Sequence, residues 1–453
     1  MRKTADEIAK LVEGHRDSTY PFRDRMQSDY DLYIMRPYDA GDGYESYTSN
    51  EPRTYADKII SWMSSAELII RIPNIEEPRE MREVNDAKEK FLVGILRAAD
   101  ERLRRRLQPS LREQLAWFVA LRGWYAGRAL LHIDSKERTQ VDITPWDPLH
   151  TYWGEGEEGL AWACYRIHKT KDEILQQYSI KLDEQDDETP IEVYDYYDEE
   201  HNIVCTGDTI LKQATPHGAD RVPVFIGMVG PQPLVQNIDN TSVTDTIVEY
   251  GESVFAPNRE IYDKHNFTMS VMMEMVARSR KQGITITSRD GQKTLDEDPY
   301  KAGAEVALAQ GEDIKPLGLM EVAKETGAYM GMVSGELQRG AIPHTVYGDL
   351  QFQLSGFAIN TLRQGIDSVL QPRIVAMEDA YIQISHLICD QYSTGIYDPV
   401  SVSGRDRNRV YFSEAVAPDS IGMAGTPEIS LVSQLPEDDM SRMSMAQMAR
   451  EGP

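Results

Sequence analysis

"GELQRGAIPHTVYGDLQFQLSG", residues 335–356, is the stretch on which the fold turns. It lies between two segments of helical periodicity, and it sets Gly340 and Pro343 where the first helix must stop. Gly and Pro punctuate many helix connections, so this stretch alone reads as helix, turn, helix. Upstream, "LMEVAKETGAYMGMVSGELQR" (319–339) repeats Ala323, Gly327, Gly331 and Gly335 every four residues, which aligns small residues on one face. Each interior glycine costs a helix about 1 kcal/mol relative to alanine. Three in register therefore point to close approach of another helix or of a second copy, although glycines that merely loosen a poor helix remain a competing reading. Glu321, Lys324, Glu325 and Glu336 exclude a membrane span. Downstream, Ile366, Leu370, Ile374, Met377, Tyr381, Ile384 and Ile388 keep 3/4 spacing through about Gln391, which predicts a long helix with a core-facing seam and a kink at Pro372.

Working toward the N-terminus, "APNREIYDKHNFTMSVMMEMVARSRKQG" reads as a helix with apolar Ile261, Met272, Met275 and Val276, closed by Arg278, Arg280 and Lys281 before Gly283. Between the two helices, the β-branched "ITIT" and the turn Arg289-Asp290-Gly291 predict a small hairpin, with "AEVAL" also strand-like. The first half of the chain mixes both classes. Helices are expected over about 4–15, where Thr4 and Glu7 form a capping box, and over 20–35, 55–65 and 78–107. "ELIIRI", "RALLHI", "TQVDI", "LAWACYRIH", "IEVYDYYD", "NIVCT" and "VPVFIG" read as strands, with "DSKER" a hairpin turn and one short helix over 171–178. The class is α+β.

Arg102, Arg104, Arg105, Arg106 and Arg112 form the densest basic cluster. They suit either a nucleic-acid patch or, on the preferred reading, the C-terminal dipole of one helix with Pro109 opening the next. Leu115, Phe118, Leu121 and Tyr125 would give that next helix a buried stripe.

Acidic side chains outnumber basic ones 74 to 48, for a formal charge of -26. A conventional nucleic-acid binder, which needs cations to displace counterions, is disfavoured; a surface past which DNA slides without sticking is not. Three widely spaced cysteines, Cys164, Cys205 and Cys389, make neither a disulfide framework nor a metal knuckle. The N-terminus lacks a secretory h-region, and the longest uncharged stretch, 222–238, is broken by glycines and prolines, so no membrane association is expected. Phosphate-binding loops, nucleophile elbows, H-E-x-x-H and C-x-x-C motifs are missing. "PWDPLHTYWGEGEEG" (145–159) gathers Asp147, His150 and three glutamates, but a proline-shaped turn in a carboxylate-rich chain explains it better than catalysis. The reading is a non-enzymatic protein without cofactor or metal. A metal-dependent hydrolase or nuclease and an acidic scaffold or adaptor without a channel are the alternatives.

The order α+β region with "ITPWDPLHTYWGEGEEGLAWACYR", long helix, β insertion, second helix, loop "IPHTVYGD" and longer helix resembles the portal proteins of tailed bacteriophages and related phage-like particles. The resemblance covers about residue 20 to the end. It implies a wing over 1–256, stem helices over 257–283 and 319–339, and a β-containing clip over 284–318. A tunnel loop over 340–351, a long kinked wing helix over 352–400, and a return to the wing with the start of a mainly helical crown, cut short at Pro453, complete the mapping. It further implies a ring of about twelve copies at one capsid vertex, assembled in the host cytoplasm and retained in the virion. A separate terminase would drive double-stranded DNA through it, and major capsid protein, scaffold and head-tail connector proteins would be its partners. Gly340, Ile342, Pro343, His344, Thr345, Val346 and Tyr347 would line the channel. Ala323, Gly327, Gly331 and Gly335 would pack the stem, and Arg278, Arg280, Lys281, Arg289 and Lys293 would meet DNA or the terminase.

Overall fold

The computed structural model describes residues 3–41, 44–73, 78–134, 137–182, 189–231, 251–280, 284–288, 291, 295, 307–316, 324–341, 356–406 and 410–432. The chain forms two compact units. The larger comprises Met1–Ile34, Arg53–Ala256 and Gly348–Pro453; the smaller comprises Met35–Pro52 and Pro257–Tyr347.

The larger unit begins with α1 (Ala5–Ser18), whose N-terminus is closed by the Thr4/Glu7 capping box, and α2 (Tyr20–Tyr33). Ile8 and Val12 of α1 are buried on a five-stranded antiparallel meander of order β4-β5-β6-β7-β8, against Tyr152, Cys164 and Tyr196. Its strands are β4 (Thr151–Gly156), β5 (Gly159–Lys169), β6 (Ile191–Asp198), β7 (His201–Thr206) and β8 (Thr209–Pro216). Beside it in the chain, β2 (Trp124–Ile133) pairs with β3 (Thr139–Trp146) in the predicted hairpin, Ile133 opposite Thr139, and with β9 (Val224–Met228). Alternation of apolar and polar residues made most of these strands legible. β4 and β8 escaped, because "TYWGEG" reads as turn and "TILKQATP" has a strongly polar second half.

Helix α4 (Arg79–Arg105), α5 (Leu111–Leu121) and α9 (Gly356–Ser393) build the other core. All seven residues of the predicted α9 seam are 7% exposed or less, and the helix continues through Pro372. Two glutamines two turns apart attach α9 to the three-stranded sheet. Gln383 accepts from Ile226 N (3.1 Å) and donates to Tyr125 OH (2.9 Å), while Gln391 accepts from Leu131 N and donates to Ala129 O, both 2.9 Å. Buried backbone groups at a sheet edge need such partners. Strand β1 (Glu67–Arg71) pairs with β14 (Glu428–Val432), and β12 (Val400–Arg405) with β13 (Tyr411–Val416). After α9 the described chain is mostly strand, and residues 433–453, where the helical start of the crown was expected, lie outside the described residues.

Two local expectations change. The stripe of α5 stops at Leu121, and Tyr125 is a β2 residue. Gly123 has φ +69°, and a Cβ there would sit 1.7 Å from the Gly251 carbonyl oxygen, so the chain turns where only glycine fits. The N-cap of α5 is Ser110, in a capping box with Glu113, rather than a helix opening on Pro109.

In the smaller unit, α7 (Arg259–Arg280) packs on α8 (Lys324–Gly340), and β10 (Ile284–Thr287) pairs with β11 (Asp313–Pro316). The partner of "ITIT" is therefore the distant "DIKP" rather than a strand following the Arg289-Asp290-Gly291 turn. Residues 304–306 of "AEVAL" lie outside the described residues.

Candidate functional site

The helix pair of the smaller unit is buried in an unusual sense. On α7 the fully buried positions are Tyr262, Asn266 and Ser270, spaced four apart, and two of them are polar. None of the expected apolar positions is core: Ile261, Met272 and Met275 are half-buried and Val276 is exposed. Phe267 is 46% exposed and Met273 37%. The polar stripe has a purpose the sequence did not reveal. Asn266 Oδ1 accepts from Ser49 N (2.9 Å) and Ser270 Oγ from Tyr47 N (2.8 Å), with Tyr44 against Phe267 and Tyr47 against His265. The segment before α3 (Glu51–Ser65) is thereby clamped along α7. Replacing Asn266 with alanine would leave the buried Ser49 amide without its acceptor and is expected to destabilise this unit by about 1–3 kcal/mol. Denaturant unfolding, with amide exchange read at Ser49, measures it.

On α8, Val333 and Leu337 are buried, while Tyr329 is 47% and Met332 68% exposed. At 3.6 residues per turn, Gly327, Gly331 and Gly335 are centred about 140° around the helix from Val333 and Leu337. A Cβ on any of these three glycines would meet nothing within 4 Å. Among the described residues no helix presses on this ridge. Ala323 lies outside the described residues.

Gly340 is the last residue of α8, and its reason is steric. Asn258 Nδ2 donates to Leu337 O (2.8 Å), and a Cβ on Gly340 would fall 2.1 Å from Asn258 Oδ1. Its φ is not in the left-handed region, so conformational freedom is not the cause. Ile342, Pro343, His344, Thr345, Val346 and Tyr347 lie outside the described residues, as do Lys281, Arg289 and Lys293; Arg278 and Arg280 are described only as backbone of α7.

The other charged constellations are structural. Asp147 takes both Arg122 nitrogens, Nε at 3.0 Å and Nη2 at 2.9 Å, and caps the turn at Leu149, while Arg122 Nη1 donates to Met26 O. Burial pushes the His150 imidazole down to about 4, with Arg166 acting in the same direction against the opposing pull of Asp147. A neutral, packed His at this turn is the result. Asp142 holds Arg128 at 2.6 Å, Arg102 at 3.2 Å and Arg106 at 3.9 Å. Two of the five clustered arginines thus tie the C-terminal end of α4 to β3. Cys164, Cys205 and Cys389 are buried, unpaired thiols whose titration burial pushes up. Among the described residues no group of three or more His, Cys, Asp or Glu is placed to hold a metal ion, and no helix is long and apolar enough to cross a membrane.

No known protein family matches the sequence, and no curated protein does. Solved structures do. A chain in the virion of a native gene transfer agent (GTA) particle aligns over 94% of this chain and 89% of its own, at 12% identity and TM-score 0.48. A chain in the neck of the native GTA particle, computed with C12 symmetry, aligns over 89% and 85%, at 12% identity and TM-score 0.43.

Proposed function

We propose that the chain is a portal subunit, a structural protein that closes into a ring at one capsid vertex and forms the channel for DNA packaging and exit. One observation carries the reading: the α7/α8 pair buries polar residues and leaves its glycine ridge and several large apolar side chains uncovered. Amphipathic helices of a self-sufficient unit do the reverse. Contiguous uncovered apolar surface in a soluble protein marks an interface, and a helical ridge without side chains admits a neighbouring backbone closely. In a head-to-tail ring each copy presents one face and receives another, so both faces of the pair become covered at once.

On this reading α7 and α8 are the stem, the β10–β11 pair belongs to the clip, and the larger unit is the wing. The loop after Gly340, with Ile342, Pro343, His344, Thr345, Val346 and Tyr347, faces the channel. A subunit charge of -26 keeps DNA moving, because repulsion replaces the cationic grip of a binder. Arg278, Arg280, Lys281, Arg289 and Lys293 are the cations at the lower stem and clip, and they contact either DNA phosphates or the acidic surface of the terminase. Capsid protein, scaffold and connector proteins are the remaining partners.

Native mass spectrometry with negative-stain imaging of the purified chain tests the proposal. A closed ring of about twelve with a central hole wide enough for duplex DNA is expected. A compact monomer with metal-dependent turnover would overturn it.

A further inference from the structure

Two members of the arginine cluster, Arg104 and Arg112, lie outside the Asp142 network. In the larger unit, Arg97 and Arg104 of α4, Arg112 of α5 and Arg405 at the end of β12 line a cavity of about 350 Å³ together with Asp100 and Tyr381. Apolar side chains of β1 and α4 form its remaining wall. Four guanidiniums against one lining carboxylate is a local inversion of charge in a chain of -26.

The pairing of these groups is incomplete. Asp100 Oδ1 is already engaged by the Leu111 amide at 2.8 Å. Glu101 lies 3.5 Å from Arg97, and Glu113 is held in the capping box of Ser110. Among the described residues Arg104 and Arg405 make no salt bridge. Arg112 is half-buried; its Nη1 donates to Ala66 O at 2.6 Å, and its Nε is buried without a hydrogen-bond partner. Arg104 and Arg405 line the cavity and are exposed, so their guanidinium donors are the ones open to an acceptor.

We propose that this cavity binds a small phosphate-bearing anion, a pyrophosphate or a phosphate monoester with a short organic body. Guanidinium forks match carboxylate and phosphate equally in plane, but a tetrahedral multivalent anion accepts from several forks at different angles. A single carboxylate cannot serve Arg104, Arg112 and Arg405 together. The apolar wall takes the organic part, and the volume admits a small molecule while excluding a duplex.

The test is titration of the full chain with pyrophosphate, and with glycerol phosphate, by calorimetry at fixed ionic strength, beside the Arg104→Gln/Arg405→Gln double variant. Both substituted residues are exposed, so the fold is retained. Saturable one-to-one binding, weakened about tenfold or more in the variant, is expected from the loss of two charge-assisted partners. Three results would each overturn the proposal: no saturation up to millimolar ligand, equal binding by the variant, or binding of a duplex oligonucleotide alone. The outcome does not depend on whether the chain forms a ring.

Discussion

Gly331→Leu should abolish ring assembly while leaving the separate chain as stable as before, or slightly more stable. The two halves of that expectation come from different levels of structure. Gly331 lies inside α8, where replacing glycine removes a helix penalty of about 1 kcal/mol. Nothing within 4 Å would meet the new Cβ, so the single chain has room for the side chain. In the proposed ring the same side chain would stand on the ridge where a neighbouring helix approaches, adding several carbons to a contact shaped for none. Overpacking of that kind forces backbones apart. Gly331→Ala adds one methyl, and ring formation should survive it, weakened. Thermal melting of the unassembled chain and native mass spectrometry read the two effects separately. Rings of unchanged size and yield from the leucine variant would show that the ridge is not an interface.

How far this ridge was legible depends on what the sequence encodes locally. Spacing of glycines along a helix is a one-dimensional property, and so are the Thr4/Glu7 capping box and the seam from Ile366 to Ile388; each is present where the pattern put it. The hairpin β2–β3 was equally readable, since its strands are neighbours and alternate. Pairings that depend on distant chain were not. Nothing near "ELIIRI" announces that Glu67 will lie opposite Val432, and "ITIT" carries no mark of Ile286 meeting Ile314. Gly340 shows a subtler limit. The sequence marks a helix end correctly, but Asn258, which makes glycine necessary there, is remote in sequence. The arginine cluster divides for a similar reason: successive residues of a helix point in different directions, so Arg102 and Arg106 reach Asp142 while Arg104 reaches the cavity with Arg112. On α7, the apolar letters suggested a core stripe, and the buried stripe turned out to be Tyr262, Asn266 and Ser270, because the surface it covers is backbone that needs acceptors.

Asp142→Ala should destabilise the larger unit by about 1–3 kcal/mol, the cost of withdrawing a largely buried carboxylate from the arginines and the hydroxyl that it serves. The Asp142 side chain is only 9% exposed and Arg128 17%. Arg128 would retain Asp195 at 3.1 Å and Tyr197 OH at 2.6 Å, but Arg102 would lose its ion pair at 3.2 Å, and Thr144 Oγ its acceptor at 2.8 Å. Asp142→Asn keeps the shape and the Thr144 acceptor, so its loss should be smaller. Burial pushes the Asp142 carboxyl up, yet Arg128 and Arg102 outweigh it and hold the group below its ordinary value. A depressed carboxylate contributes stability that is full above its unfolded pKa, about 3.9. That contribution is lost as the pH falls through the folded value, so wild type should lose more stability than Asp142→Ala on acidification below about pH 4. The same variant separates the structural reading from a metal-dependent hydrolase. If Asp142 were a metal ligand or a general base, its removal would abolish turnover with little change in melting temperature, since an acidic site relaxes when one carboxylate is withdrawn. If it is the anchor of α4 on β3, the loss is one of stability. Denaturant unfolding of wild type, Asp142→Asn and Asp142→Ala at neutral pH and near pH 3 distinguishes these two roles.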